Sequence, residues 1–320
     1  GMHEPSSGRI SWHDRDLVHE DDLDPSELGY VPQFSIAYDQ LTVTESISTA
    51  LKLRVKGLPA DEQDARIASL LKEVGMEHIA DRRVRVLSGG EKRRLALAME
   101  LVSDPALLLC DEVTSGLDPR SEEEVVGLLR RISHGDQRTV LSVTHSLRHF
   151  SSYDRIAVLH VGRLVYFGPP DEMLTYFGVQ DPEEVYSVLA RHEPNVLEAK
   201  WHLHVQHHEE EPPRSSQSRV VHQTPGFFTQ LGVLWNRRWK IMLREPSQIG
   251  LQLGLILGFP AVVALFAMNG LPQIRNLTMS LDVGLLEQLK ETNDYILQST
   301  KAGSLVSGLV MFQVVLLTLM

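Results

Sequence analysis

Ala106-Leu107-Leu108-Leu109-Cys110-Asp111-Glu112 is a short unbroken apolar run that stops at two carboxylates. A run of this length, rich in branched side chains and ended by charge, is the pattern of a strand buried on both faces with its functional groups at the carboxyl end. A second such run, Thr139-Val140-Leu141-Ser142-Val143, ends at Thr144-His145. The segment between them, Ser121–Ile132, reads as a crossover helix, so the pair predicts a parallel βαβ unit and an α/β fold. Ligands of open parallel sheets sit outside the carboxyl ends of the strands, which makes Asp111, Glu112 and His145 candidate functional groups.

Upstream, Leu87-Ser88-Gly89-Gly90-Glu91 opens a helix with Leu95, Ala98, Leu101 and Val102 on one stripe. A helix that begins at a glycine pair presents unpaired backbone N–H groups and suits an anion. Before it, Val31–Phe34 and Leu41–Val43 bracket a short extended region, and helical spacing runs from Glu45 through Leu53 and again through Ile67, Leu70, Leu71 and Val74, a helical insert. Downstream, Arg155–His160, Val161-Gly162 and Arg163–Phe167 predict a hairpin that closes the sheet. The α/β domain is expected to occupy 1–191.

The 320 residues carry 31 basic and 42 acidic side chains, a net charge of −11, which argues against a general nucleic-acid binder. Charge is unevenly placed. Glu198 to Gln223 is rich in His, Glu, Pro and Ser without an apolar period, and 192–225 is expected to be linker. Phe227–Arg244 predicts an amphipathic helix with Phe227, Phe228, Leu231, Leu234, Trp235 and Trp239 on its apolar side and Arg237, Arg238, Lys240 and Arg244 supplying charge, the pattern of a membrane surface. Ile249–Met268 and Gly303–Met320 contain no charged residue, and each is close to the length that crosses a hydrocarbon core of about 30 Å. The basic helix before the first run would place its amino-terminal side in the cytoplasm and 269–302 outside; two buried core helices are the other reading of these runs. Domain 226–320 is thus expected to hold the amphipathic helix and two spans.

The ordered series Gly29-Tyr30-Val31-Pro32-Gln33, Leu87-Ser88-Gly89-Gly90-Glu91, Leu107–Glu112, Ser115-Gly116-Leu117-Asp118 and Thr144-His145-Ser146 resembles the nucleotide-binding domain of ABC transporters. In that family these are the glutamine loop, the signature motif, the Walker B strand with its catalytic glutamate, the D-loop and the switch histidine. The resemblance implies a P-loop NTPase-like α/β nucleotide-binding domain followed by an α-helical transmembrane domain, both partial here. It implies ATP and Mg²⁺ as cofactors and ATP hydrolysis coupled to export. Glu112 would orient the attacking water and His145 would contact the γ-phosphate as catalytic residues; Gln33, Ser88, Gly89, Gly90, Asp111 and Asp118 would bind ATP. Gln33 and Asp111 would serve the metal, Asp111 through a water. Ser88 and Gly90 would act across a head-to-tail dimer with a second nucleotide-binding domain. Ser88 also reads as a plain N-cap, since one geometry serves both, Asp111 as a strand-end cap, and Asp118 as a turn aspartate before Pro119.

The order of nucleotide domain, linker, basic helix and spans resembles the G subfamily of half-transporters and its bacterial relatives. This implies a homodimer in a bacterial inner membrane, with lipid and a transported substrate as partners, no nucleic acid, and a cytoplasmic ATPase domain. The loop between the two runs is long for that subfamily. No stretch of the chain matches Gly-x-x-x-x-Gly-Lys-Ser/Thr, the loop whose amides cradle phosphates. Residues Gly1–Ile10 resemble the segment just past the helix that follows this loop, so the chain is read as an internal piece, inactive alone; a degenerate non-hydrolysing membrane subunit and a soluble ABC ATPase are the alternatives. His202, His204, His207 and His208 read as linker histidines before a metal site, Asn276-Leu277-Thr278 as a sequon of uncertain use, and Cys110 as packing.

Overall fold

The computed structural model describes residues 5, 7–12, 15–17, 23–34, 36–135, 138–206 and 223–270. The chain divides into two compact units, Gly1–Ile249 and Gly250–Met320. In the first, β1 (Ser11–Trp12) and β2 (Arg15–Asp16) form a small antiparallel pair. β3 (Leu28–Val31) leads to α1 (Val43–Arg54), α2 (Ala60–Glu73) and α3 (Gly89–Glu100). β4 (Leu107–Asp111), α4 (Pro119–Gly135) and β5 (Thr139–Val143) make the βαβ unit.

The three strands lie in the order β3-β4-β5 and are parallel, with Val31 opposite Cys110 and Asp111 opposite Val143. All three therefore end at one edge. Gly29 is required where β3 passes β4, because a Cβ there would lie 2.8 Å from Leu108 Cδ1. Gly29, Val31, Leu108 and Cys110 face α3 and α4 and share a core with Leu95, Leu97, Val125, Leu128 and Leu129. The opposite face differs from expectation. Tyr30, Leu141 and Val143 are 48%, 57% and 57% exposed, because α3 and α4 both pack on the first face. Burial also pushes the Cys110 thiol up to about 12, which leaves it a packing group as expected.

The helical insert is set by local chemistry. Thr42 and Glu45 form a reciprocal capping box at the start of α1, and Val43, Ile47, Leu51, Ile67, Leu70 and Leu71 join the two helices to the same core.

β6 (Ile156–His160) and β7 (Arg163–Gly168) pair antiparallel through the Val161-Gly162 turn, both residues left-handed. This hairpin does not close the main sheet; it forms a separate two-stranded sheet. Its buried side chains Val165 and Tyr166 pack on α5 (Pro170–Phe177), α6 (Glu184–Arg191) and α7 (Pro194–Gln206) in a second core with Phe177, Leu189 and Trp201. α7 corrects the linker expectation, since 194–206 is helical. Leu197 and Trp201, one turn apart, are both buried, and two anchors at i and i+4 dock a helix without a sustained period. Among the described residues no cluster of metal-ligating side chains occurs; His207, His208, Asn276, the interval 271–302 and the run Gly303–Met320 lie outside them.

α8 (Phe227–Leu243) has the expected exposed aromatics, with Phe227, Phe228 and Trp235 more than half exposed. Its charges are used within the protein. Arg244 Nη2 donates to Glu45 Oε1 at 2.9 Å, Lys240 Nζ lies 3.6 Å from the same oxygen, and the Arg237 guanidinium stands 4.6 Å over the Tyr38 ring. α9 (Pro246–Gly270) contains Pro260. Its side chains are described only as far as 261, and among the described residues no helix is long and apolar enough to cross a membrane.

Arg244, by hydrogen bonding, holds the Glu45 carboxyl at about 2, below its ordinary 4.5. A depressed carboxylate stabilises the fold above the unfolded value and loses that contribution as pH falls through the folded one. Acid titration should show a stability loss from about pH 4.5 down to about 2 that is absent in Glu45→Gln. Arg244→Ala should lower unfolding stability at neutral pH by about 1 kcal/mol.

Candidate functional site

The carboxyl ends of β3, β4 and β5 bring together four of the residues singled out in the sequence. Glu112 follows β4 directly with φ of +46°, a left-handed conformation unusual for a non-glycine residue. Its N–H donates to the Val143 carbonyl at 2.9 Å, one step beyond the β4–β5 ladder, which fixes the side chain. Gln33 Nε2 donates to Glu112 Oε2 at 2.9 Å, and His145 Nδ1 lies 3.6 Å from Glu112 Oε1. The Glu112 carboxylate therefore stands between an amide and an imidazole.

Asp111, the last residue of β4, accepts a hydrogen bond from Tyr30 Oη at 3.1 Å. This carboxylate, first through that hydrogen bond, raises the Tyr30 hydroxyl above its ordinary range. Gln33 is positioned from outside the sheet as well, since Arg93 on α3 donates to the Pro32 carbonyl at 3.2 Å. Burial pulls the Arg93 guanidinium down.

Ser88 caps α3. Its Oγ accepts from the Glu91 N–H at 3.3 Å, and its own N–H donates to Glu91 Oε2 at 2.7 Å. That backbone bond leads the causes that lower the Glu91 carboxyl. Gly89 and Gly90 follow at the helix N-terminus. They lie against the Asp118 loop: a Cβ on Gly89 would meet Leu117 Cδ2 at 3.2 Å, and one on Gly90 would meet Ser121 Oγ at 2.9 Å. Among the described residues no hydrogen bond or ion pair joins Ser88, Gly89 or Gly90 to the Gln33–Glu112–His145 group.

Asp118 caps α4, accepting from the N–H groups of Arg120 and Ser121 at 3.2 and 3.1 Å and from Ser121 Oγ at 2.6 Å. The Ser121 hydroxyl leads the causes that lower its carboxyl, which is fully exposed. The turn role left open by the sequence is thus filled, and the exposed carboxylate leaves the seam role open.

Sequence reasoning missed three side chains beside the site. Tyr30 carries the Asp111 contact. Tyr186 Oη donates to the His145 carbonyl at 2.7 Å, and Ser146 Oγ donates to Glu122 Oε1 at 2.6 Å. Tyr30 stands within a recognised motif, on the strand that pairs with β4, and that adjacency is the available signal. Tyr186 lies beyond the hairpin, on a helix whose docking no motif announces.

The donor set fits a hard divalent cation. Asp111 offers carboxylate oxygen, and the Gln33 amide, with its nitrogen engaged by Glu112, retains its carbonyl oxygen.

Comparison with known proteins agrees with this geometry. Residues 1–115 match the ABC transporter family model. The chain is 32% identical over 203 residues to the ABC transporter ATP-binding/permease protein Rv1747 of Mycobacterium tuberculosis, covering 63% of this chain and 23% of that protein. It is 37% identical over 158 residues to the broad substrate specificity ATP-binding cassette transporter ABCG2 of Bos taurus, covering 47% and 24%. It is 30% identical over 276 residues to ABC transporter G family member 4 of Arabidopsis thaliana, covering 79% and 46%. A solved dimeric, post-hydrolysis ATP-binding cassette, MJ0796 bound to ADP and Pi, aligns with a TM-score of 0.46 at 26% identity, over 53% of this chain and 76% of that one. The matched segment is an ABC transporter nucleotide-binding domain, with homologues in the G family and in Rv1747. The chain spans between about a quarter and a half of the length of these three curated relatives.

The Gly90 contact is testable. Gly90→Ala should destabilise the fold by about 1–3 kcal/mol in urea unfolding. Pairing it with Ser121→Gly should cost less than the two single changes added together, because the clashing atoms are gone.

Proposed function

We propose that this chain is the nucleotide-binding and membrane-attached part of an ABC transporter that couples ATP hydrolysis to export of a substrate. The observation that carries the reading is the Glu112 carboxylate held between Gln33 and His145 at the carboxyl edge of a parallel sheet. Phosphoryl transfer asks little of a protein beyond positioning and charge, and this arrangement supplies positioning. Bound Mg²⁺ would neutralise charge developing on the phosphates. Asp111 would orient it through water, with the Gln33 carbonyl as a second oxygen. Glu112 would accept a hydrogen bond from the attacking water, and its strained backbone keeps the carboxylate from turning away. His145, with a 66% exposed side chain, would meet the terminal phosphate from the β5 side.

Ser88 and Gly89 are exposed at the α3 N-terminus, and the amide ends of a helix attract an anion. Since they stand apart from the Glu112 group, we assign them to the nucleotide of a second nucleotide-binding domain in a head-to-tail homodimer. Asp118 would lie at that seam. Work would pass from Gln33 through α1 to α8 and on to the uncharged stretch from Ile249, which we read as the start of a membrane domain in a bacterial inner membrane, with the nucleotide domain cytoplasmic.

A second reading is a non-catalytic membrane subunit. The lack of any Gly-x-x-x-x-Gly-Lys-Ser/Thr stretch in these residues favours it, and for the same reason this chain alone is expected to show no ATP turnover. Calorimetry addresses the shared premise: the chain should bind MgATP, and Asp111→Asn should weaken binding about tenfold. Wild-type chain that binds no nucleotide would sink both readings. For the membrane assignment, flotation with anionic phospholipid vesicles should recover the chain in the lipid fraction with a blue shift of Trp235 and Trp239 emission. Chain that stays in the aqueous fraction would count against it.

A further inference from the structure

His145 presents a physical problem. Its side chain is 66% exposed, so packing does not fix it, and it stands on a loop just beyond β5. A group that must meet a phosphate oxygen within a few tenths of an ångström needs its backbone held by something else. The loop has three such restraints. One is local, the Ser146 N–H donating to Thr144 Oγ1 at 3.0 Å. The other two come from distant parts of the chain: Tyr186 Oη on α6 donates to the His145 carbonyl at 2.7 Å, and Ser146 Oγ donates to Glu122 Oε1 at 2.6 Å.

Glu122 is 8% exposed, on the first turn of α4. Burying a carboxylate is costly unless it is hydrogen-bonded, and a well-packed apolar residue would stabilise that turn as well. The Ser146 hydroxyl supplies the compensating bond, and it belongs to the histidine loop. Glu122 also reaches the other way. Its N–H donates to the Asp118 carbonyl at 2.9 Å, and the Asp118 carboxylate caps the same helix through Ser121. A bonded path therefore runs from Asp118 through Glu122 and Ser146 to His145, and Tyr186 holds the far side. A cleft of about 530 Å³ lined by Ser115, Leu117, Glu122, His145 and Tyr186 lies along this path.

We propose that Tyr186 and Glu122 are positioning residues that set where His145 stands relative to Glu112, and that α4 ties this placement to the Asp118 loop. The proposal rests on the reading of His145 as the group that meets the terminal phosphate. Its consequence is that displacement of the exposed Asp118 loop by a partner subunit is transmitted to His145 by one turn of helix and two hydrogen bonds. The contributions of the two residues differ. Tyr186 is half-exposed, and loss of its hydroxyl releases only the loop. Glu122 is buried, and its replacement by an apolar residue releases the loop and severs the path to Asp118.

The test uses three variants of the full chain and two measurements. Tyr186→Phe removes one hydroxyl and keeps the ring. Glu122→Ala removes the acceptor of Ser146, whereas Glu122→Gln keeps an acceptor oxygen at the same reach and serves as the conservative rescue. Hydrogen exchange without nucleotide reads the loop, and calorimetric affinities for MgATP and MgADP read the terminal phosphate. We expect amides 145–147 to exchange faster in Tyr186→Phe and Glu122→Ala and to stay near wild type in Glu122→Gln. We also expect the ratio of ATP to ADP affinity to narrow about two- to tenfold in the first two variants with ADP affinity unchanged, the range one lost hydrogen bond gives. A merely structural role would weaken both nucleotides together. Unchanged exchange in Tyr186→Phe overturns the proposal, and so does faster exchange with an unchanged ATP-to-ADP ratio. If the wild-type chain binds neither nucleotide, the proposed function fails, while the exchange data alone still decide whether Tyr186 and Glu122 hold the loop. Tyr186→Phe retains the fold on any account, so a Glu122→Ala protein that does not fold leaves the decision intact.

Discussion

The Glu100 carboxylate is the interaction on which the arrangement of the first unit turns. It ends α3 with only 4% of its side chain exposed, accepts the Tyr30 N–H at 3.0 Å, and pairs with Arg54 on α1 at 2.6 Å. One buried charge thus joins the helix that starts at Ser88, the strand that leads to Gln33, and the helical insert. Removing one partner of such a pair leaves an uncompensated buried charge and costs roughly 3–5 kcal/mol, whereas replacing the whole pair by apolar groups can be neutral. Retention of the pair here is therefore better explained by what it aligns than by net stability. It sets β3 against α1 so that the Gln33 end of the strand and the outer face of the insert move as one piece. Arg138 works similarly on the far side of the insert. Its buried guanidinium joins Glu73 of α2 at 3.0 Å and Asp104 at 2.6 Å, and the Asp104 hydrogen bond leads the contacts that raise it against the opposing effect of burial.

What could be read from the sequence follows from which forces act locally. The runs at Ala106–Cys110 and Thr139–Val143, the crossover between them and the capping signals at Ser88 and Thr42 each encode an element in a few adjacent residues, and each stands within a residue or two of its expected position. The failures have a common cause. Closure of the sheet by the hairpin, burial of both sheet faces and a linker beginning at 192 were all inferences about what packs on what, and local pattern is silent there. Val165 and Tyr166 found α5 to α7, and two buried side chains, Leu197 and Trp201, were enough to dock a helix whose composition looks like linker.

The site divides the same way. Gln33, Asp111, Glu112 and His145 were readable because they terminate strands or belong to motifs, and parallel topology alone carries strand ends to one edge. Tyr30, Glu122 and Tyr186 were not, because their contribution is one hydroxyl or one buried oxygen aimed across a distance of many residues. Asp118 shows the intermediate case. Its capping role was written in Asp-Pro-Arg-Ser, but its exposure, which is what suits it to a subunit seam, is a property of the folded surface.

The basic helix α8 shows why charge pattern and charge use must be separated. The four cations at 237–244 and the adjacent tryptophans carry the pattern of a membrane surface, yet Arg244 and Lys240 converge on Glu45 and Arg237 covers Tyr38. These interactions hold the helix against the insert and leave Phe227, Phe228 and Trp235 facing outward. Long basic side chains lay their methylene stems along apolar surface while the charged head reaches a partner, so one helix can bind protein through its heads and offer aromatic area to lipid on another side. Glu45 makes this economical, because the same carboxylate closes the capping box of α1 and receives Arg244. A shift of α8 would then disturb the first turn of α1 directly, and α1 is the helix that Arg54 ties to Glu100 and hence to the strand carrying Gln33. The route from the aromatic face to the Glu112 carboxylate consists of these bonded contacts, with no need for a longer-range influence.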